Sequence, residues 1–211
     1  MILFLLIRHA AATSTGKNLY GTSPGVHLSD HGRAQAADLA ERLAPVPLDA
    51  LYASPLERCL ETAEAIVDGR GLRVRRLAAV GEVDYGRWTG RSFASLRRTA
   101  AWRLLHERPS AIRFPDGEAL TEVQVRAVNA LEDLAVKHRR GVVAVVTHGD
   151  VIRLALAHAA GLHIDLFQRL QVEPASVSAL EMRDGAPRIV RLNDTGTLDG
   201  LVPARRRRVQ G

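Results

Sequence analysis

The sequence predicts an α/β protein, a three-layer αβα sandwich around a mixed, mostly parallel central sheet. Two short apolar runs, MILFLLI at residues 1–7 and VVAVV at 142–146, read as strands buried on both faces, the pattern a covered parallel sheet imposes. Helical stretches alternate with further strand-like runs between them. Near the end, extended runs at 177–183 and 188–192 flank Asp184 and Gly185 and read as a hairpin, which makes the sheet mixed.

Taken in order, the first run is too short to span a bilayer and lacks the leading positive charges and small-residue cleavage site of a secretion signal. As a central strand it places Arg8 and His9 just past a carboxyl end, where open α/β sheets bind ligands. Ser29 reads as the cap of a helix running to Leu43, stopped by Pro45 and Pro47. A short strand follows at 50–53. In SPLERCLETAEAI, Ser54 as N-cap, Pro55 at the first helical position and Glu57 three residues after the cap form a capping box, so a helix over 55–67 carries Arg58 in its first turn. Residues 73–77 read as a strand, 82–90 as a polar Gly-rich loop, and 93–107 and 119–139 as helices separated by the turn-rich RPSAIRFPDGE. Thr147, His148 and Gly149 follow the second apolar run as Arg8 and His9 follow the first, and a helix extends from there to about residue 160.

A length of 211 residues suits one domain with a full core, expected over 1–200, followed by a disordered Arg-rich tail at 201–211. Cys59, the single cysteine, excludes an internal disulfide; inside a helix it reads as an inert core thiol, which fits a reducing cytoplasm. The net charge of +6 owes four units to the run Arg205 to Arg208, so the body of the domain is not basic. Aromatic residues make up 4%, little material for base stacking, so nucleic acid is not an expected partner. No second segment reads as membrane-spanning.

His9 and His148 sit in the same topological place at the ends of two buried strands, one of them preceded by Arg8. Arg8 and Arg58 could chelate a phosphate dianion from two sides, because guanidinium forks match phosphate oxygens and a helix start favours anions. An intrahelical ion pair with Glu61 is an equal alternative for Arg58. A metal site from His27 and His31 is disfavoured: Ser29 as a helix cap puts His27 outside the helix, and no third ligand stands at a sensible spacing. No metal and no cofactor are therefore expected.

Several segments together resemble the histidine phosphatase superfamily, in its phosphoglycerate-mutase-like branch. LIRHA resembles the Arg-His-Gly signature, LSDHGRAQA the first-helix pattern, and SPLERCLETA the second-arginine motif. GEVDYGRWTG is similar to the acid loop, FPDGEALTEVQVR to the segment before the long helix, and VVTHGD to the second histidine. The matches run in family order from residue 3 to about 155.

The resemblance implies a phosphoglycerate-mutase-like fold, His9 as a nucleophile that forms a phosphohistidine, Arg8, Arg58 and His148 as phosphate ligands, and Glu82 as proton donor. The chemistry agrees: phosphoryl transfer needs an in-line nucleophile and neutralised equatorial oxygens, and imidazole and guanidinium supply them. By spacing alone Asp84 is as plausible an acid as Glu82. The signature glycine is Ala10, the asparagine often found six residues after the nucleophile is Thr15, and the serine of Gly-Glu-Ser is Ala119. Thr13, Ser14 or Thr15 is then expected to supply the missing phosphate hydrogen bond. The implied activity is metal-independent hydrolysis of a small phosphomonoester. Mutases of the family are generally longer, and only about thirty residues, 91–120, separate the acid loop from the long helix, so hydrolase is favoured over a phosphoglycerate-type mutase. A non-catalytic phospholigand-binding module is the alternative of another class, although a pure binder has no need of an acid. Arg87, Arg91 and residues 108–114 are candidates to contact the organic part of the substrate. The oligomeric state is left open, a homodimer included.

Overall fold

A computed structural model describes residues 1–13, 18–183 and 186–198. The tail at 201–211, the hairpin turn at Asp184 and Gly185, and Ser14 and Thr15 lie outside the described residues. Six strands form one sheet in the order β3-β2-β4-β1-β5-β6. Strand β1 (Ile2–Arg8) lies at its centre, parallel to β4 (Gly141–Thr147) and antiparallel to β5 (Val177–Arg183). Strands β2 (Ala50–Ala53) and β3 (Val74–Arg76) extend the parallel half, and β6 (Ala186–Asp194) closes the antiparallel edge.

The unbroken apolar runs have the predicted physical cause. Alternate residues of β1 enter different cores: Leu3, Leu5 and Ile7 pack with one face, Ile2, Phe4 and Leu6 with the other. The first face is covered by α1 (Asp30–Leu43) and α2 (Glu57–Val67), which contribute Leu39, Leu43 and Ile66. The second is covered by α5 (Leu120–His138) and α6 (Gly149–Ala159), through Leu131, Leu134, Ile152 and Leu156. A third apolar cluster lies beyond the carboxyl ends of the strands, where Trp88, Leu96 and Phe114 pack on Val123, Val151 and Phe167.

Ser29 caps α1 by accepting a hydrogen bond from the Gly32 amide, as read from the sequence. Gly32 itself is dictated by a close approach: a Cβ there would fall 1.8 Å from the Ala11 carbonyl oxygen. Two expectations are corrected. The capping box at Ser54 does not form, because α2 starts at Glu57 with Leu56 as its N-cap and no side-chain cap bond. The Ser54 hydroxyl is instead 2.8 Å from His148 Nε2, and Glu57 accepts from the Gly25 amide. The helix expected over 93–107 is two, α3 (Phe93–Leu96) and α4 (Ala100–Glu107), because Thr99 turns the chain and caps the second by accepting from the Trp102 amide.

Candidate active site

Position along β1 and β4 sets the centre of the site. The strands are paired so that Arg8 stands opposite Thr147, and each chain then leaves the sheet as His9 and His148. The His9 amide donates to the Thr147 carbonyl at 2.9 Å, which locks the two loops together. The two imidazoles meet edge to face with centroids 5.3 Å apart. Arg58 enters from the first turn of α2, with Nε 3.3 Å from His9 Nε2 and Nη2 3.3 Å from His148 Nδ1. His9, Arg58 and His148 are all buried.

The orientation of His9 follows from a main-chain contact. Its Nδ1–H donates to the Ala10 carbonyl at 2.7 Å, so the lone pair is on Nε2 and faces the Arg58 guanidinium. Burial, then the charge of Arg58, pushes its pKa down to about 3, which keeps the ring neutral and nucleophilic across the physiological range. His148 is also held well below its ordinary value, by burial and by His9 and Arg58 beside it. The Thr62 hydroxyl accepts from the Ala10 amide at 3.1 Å and donates to the Arg58 carbonyl at 2.7 Å, tying the His9 loop to α2.

The arginine positions favour an anion. Arg58 Nη2 is anchored to the Gly21 carbonyl and Arg8 Nη1 to the Val172 carbonyl, while Arg58 Nη1 and Arg8 Nε are buried with no hydrogen-bond partner among the described residues. Buried guanidinium donors left open in this way carry a cost unless an acceptor fills the space between them. The intrahelical alternative for Arg58 does not form, since Glu61 is occupied by His27 and by the Leu28 amide. That pairing also takes His27 away from any metal site with His31. Gly149 lets Arg8 pass, because a Cβ would come 3.3 Å from its Nε.

The structure separates Glu82 from Asp84. Glu82 Oε2 is 3.5 Å from His148 Nδ1, and burial, reinforced by Asp150, pushes its carboxyl up to about 7. Asp84 turns away and accepts from the Gly86 amide, a local loop contact. The acid loop is held from outside by a pair the sequence reading did not single out. Arg126 on α5 donates to the carbonyls of Ala79, Gly81 and Glu82 and to both oxygens of Glu118, at 2.8 to 3.0 Å. All five guanidinium donors are used, and Glu118 in turn accepts from the Asp84 amide. The Thr147 hydroxyl fastens the same loop through the Val80 carbonyl.

A cleft opens on this centre in two lobes. The smaller, about 150 Å³, includes His9, Asn18 and Arg58; the larger, about 400 Å³, includes Trp102, Leu105, His106 and Arg153. Arg8, Glu82 and Phe93 border both. Asn18, nine residues after His9, is the asparagine of this segment that reaches the cleft, three residues beyond the spacing the resemblance implies. Thr13 makes a 3.5 Å contact with the His27 carbonyl instead. Of the residues named as contacts to the organic part, Arg87 pairs with Asp116 and Arg113 with Glu122 on the surface, and Arg91 does not line either lobe. No group of three or more His, Cys, Asp or Glu among the described residues is placed to hold a metal ion. No helix among them is long and apolar enough to cross a membrane.

Comparison with known proteins agrees with this geometry. The family profile of the histidine phosphatase superfamily (branch 1) matches residues 4–195. Phosphoserine phosphatase 1 of Hydrogenobacter thermophilus is 29% identical over 92% of this chain and 93% of its own. A 2,3-bisphosphoglycerate-dependent phosphoglycerate mutase of Brucella melitensis is 28% identical over 92% of this chain and 94% of its own, so length alone does not separate the two activities. Among solved structures, Bacillus stearothermophilus YhfR superposes with a TM-score of 0.88 at 26% identity, over 93% of this chain and 98% of that one. With phosphatases and mutases alike among its relatives, and with the family profile covering nearly its whole length, the chain belongs to the histidine phosphatase superfamily, branch 1.

Proposed function

We propose that hydrolysis runs without a metal through a phosphohistidine on His9. The observation that carries this is the posture of His9, whose Nδ1–H is held by the Ala10 carbonyl while Nε2 meets Arg58 Nε at 3.3 Å, beside two arginines of which Arg58 Nη1 and Arg8 Nε are buried with no partner among the described residues. Nε2 attacks phosphorus in line with the departing oxygen. Arg8, Arg58 and His148 neutralise the equatorial oxygens, with Asn18 or a residue of the 13–15 segment adding a hydrogen bond. The alkoxide takes the Glu82 proton and leaves as the alcohol. Glu82, now a carboxylate, removes a proton from the water that attacks the phosphohistidine, which releases inorganic phosphate and restores both groups.

The same reading takes residues 1–200 as one catalytic domain, and a small phosphorylated metabolite rather than nucleic acid as its partner. Cys59 is buried as a free thiol, in keeping with a cytoplasmic setting. Rapid quench of a ³²P-labelled ester tests the mechanism. Label stable in alkali and lost in acid is expected on the protein, with EDTA present throughout, and none on His9→Ala. Retention of label by His9→Ala, or activity lost to EDTA and restored by zinc or magnesium, overturns it.

A further inference from the structure

The two lobes share Arg8, Leu19, Glu82, Tyr85 and Phe93, and the position of Glu82 among them points to which end of a substrate goes where. Phosphate belongs in the smaller lobe with His9 and Arg58, so the ester oxygen lies beside Glu82 and the rest of the alcohol extends into the larger lobe. That lobe, about 400 Å³, falls in the range of small-molecule sites of roughly 300 to 1,000 Å³. One wall is apolar: Leu19, Phe93, Trp102 and Leu105 line it. Trp102 is held in place by Trp88, whose ring stacks on it at 6.2 Å, and by Phe93 edge to face at 6.1 Å.

The lobe's cationic side chains, Arg8, His106 and Arg153, each have a partner already: His106 Nδ1 donates to the Trp102 carbonyl at 2.8 Å and Arg8 Nη1 to the Val172 carbonyl. Arg153 is already held by Asp150 at 2.9 Å and by the Leu170 carbonyl at 2.9 Å, and Asp150 also accepts from the Tyr85 hydroxyl. Arg8 is directed at the phosphate. A substrate carboxylate entering this lobe would lie beside Asp150, whose charge offsets that of Arg153, whereas a flat uncharged ring would pack against Trp102 and Phe93.

Resting on the hydrolase reading above, we propose that the physiological leaving group is an alcohol bearing a flat, uncharged ring, and not the short carboxylate-bearing skeleton of phosphoserine or 3-phosphoglycerate. The ring is seated against Trp102 and Phe93 while Glu82 protonates the ester oxygen.

The test compares kcat/KM for 2-phenylethyl phosphate, glycerol 1-phosphate, phosphoserine and 3-phosphoglycerate on the wild-type protein and on Trp102→Ala and Phe93→Ala. All four release primary or secondary alkyl alcohols, so their demand for a proton is comparable. The phenylethyl ester is expected to exceed each of the others by about tenfold or more, the range a filled apolar pocket gives. Either variant should lower the ratio of phenylethyl to glycerol ester by about tenfold, and a ratio is insensitive to the fraction of folded protein. Phosphoserine or 3-phosphoglycerate turning over as fast as the ring ester overturns the proposal, as does a ratio unmoved in both variants. These results leave the hydrolase reading standing. Failure of all four esters, with no label on His9, removes both.

Discussion

The two lobes of the cleft are built by different means. At the proposed phosphate position, His9, Arg58 and His148 come from a strand end, a helix start and another strand end, and all three are buried. The partners of their side chains are main-chain carbonyls, Ser54 and one another, so each rotamer is fixed by its buried surroundings. The wall of the larger lobe comes from α3 and α4, two short helices outside the sheet, and α4 buries no residue fully. Its aromatic side chains are held by neighbouring rings, with no hydrogen bond to the sheet strands among the described residues. Chemistry is anchored where cooperativity is highest, and the part that meets the organic group sits where change disturbs the core least.

The largest effect that separates the lobes is expected at Glu82, where they join. Positioned acid catalysis contributes about 10² to 10⁴-fold. Glu82→Gln should lose that much in single-turnover phosphorylation by alkyl phosphates and far less with p-nitrophenyl phosphate, whose leaving group departs unprotonated. Asp84→Asn should show no such dependence; if it does and Glu82→Gln does not, the acid is misassigned. The sign of the pH effect follows from the raised pKa. Glu82 donates only while protonated, so kcat/KM for alkyl phosphates should fall as pH rises through about 7, and this limb should vanish in Glu82→Gln. His9, pushed down to about 3, adds no acidic limb above roughly pH 4.

A smaller loss, confined to the phosphate lobe, is expected for Arg58→Ala. Charge-assisted bonds contribute about 1.5 to 3 kcal/mol, so inhibition by inorganic phosphate should weaken about tenfold to a hundredfold along with turnover. Unchanged phosphate inhibition would remove Arg58 from the anion site. Smaller again is Arg126→Met, which touches neither lobe. Releasing the acid loop should lower turnover of alkyl phosphates about tenfold and spare p-nitrophenyl phosphate, a partial copy of Glu82→Gln. An equal loss with both esters would make Arg126 a purely structural residue.

How much was legible follows the same division. The strands at 1–7 and 142–146, the Ser29 cap, and the sites of His9, His148 and Arg58 depend on local pattern, and local pattern is what a sequence displays. Ser54 was misread because a Ser-Pro-x-Glu string encodes a capping box only if the serine is free, and here it serves His148, distant by 94 residues. Arg126 escaped notice for a related reason: its five acceptors lie 8 to 47 residues away and are mostly carbonyl oxygens, which any residue supplies. Asn18 lies outside the six-residue spacing expected after His9, and the aromatic wall is scattered across α3 and α4. Contacts to the main chain and contacts across long separations leave no residue-type signature.

The hydrogen bond from His9 to the Ala10 carbonyl carries this furthest. In a catalytic triad the group that orients the histidine is a side chain, and replacing it reveals its worth. Here the orienting acceptor is part of the peptide bond, so every encoded substitution at position 10 that folds retains it. A complete set of single replacements at position 10 would pass over one of the groups that orient His9. It would register only under backbone chemistry, for instance an ester link between residues 10 and 11, whose carbonyl is the weaker acceptor. The orientation of His9 is thus partly silent to substitution at position 10, because it is written into the chain's path.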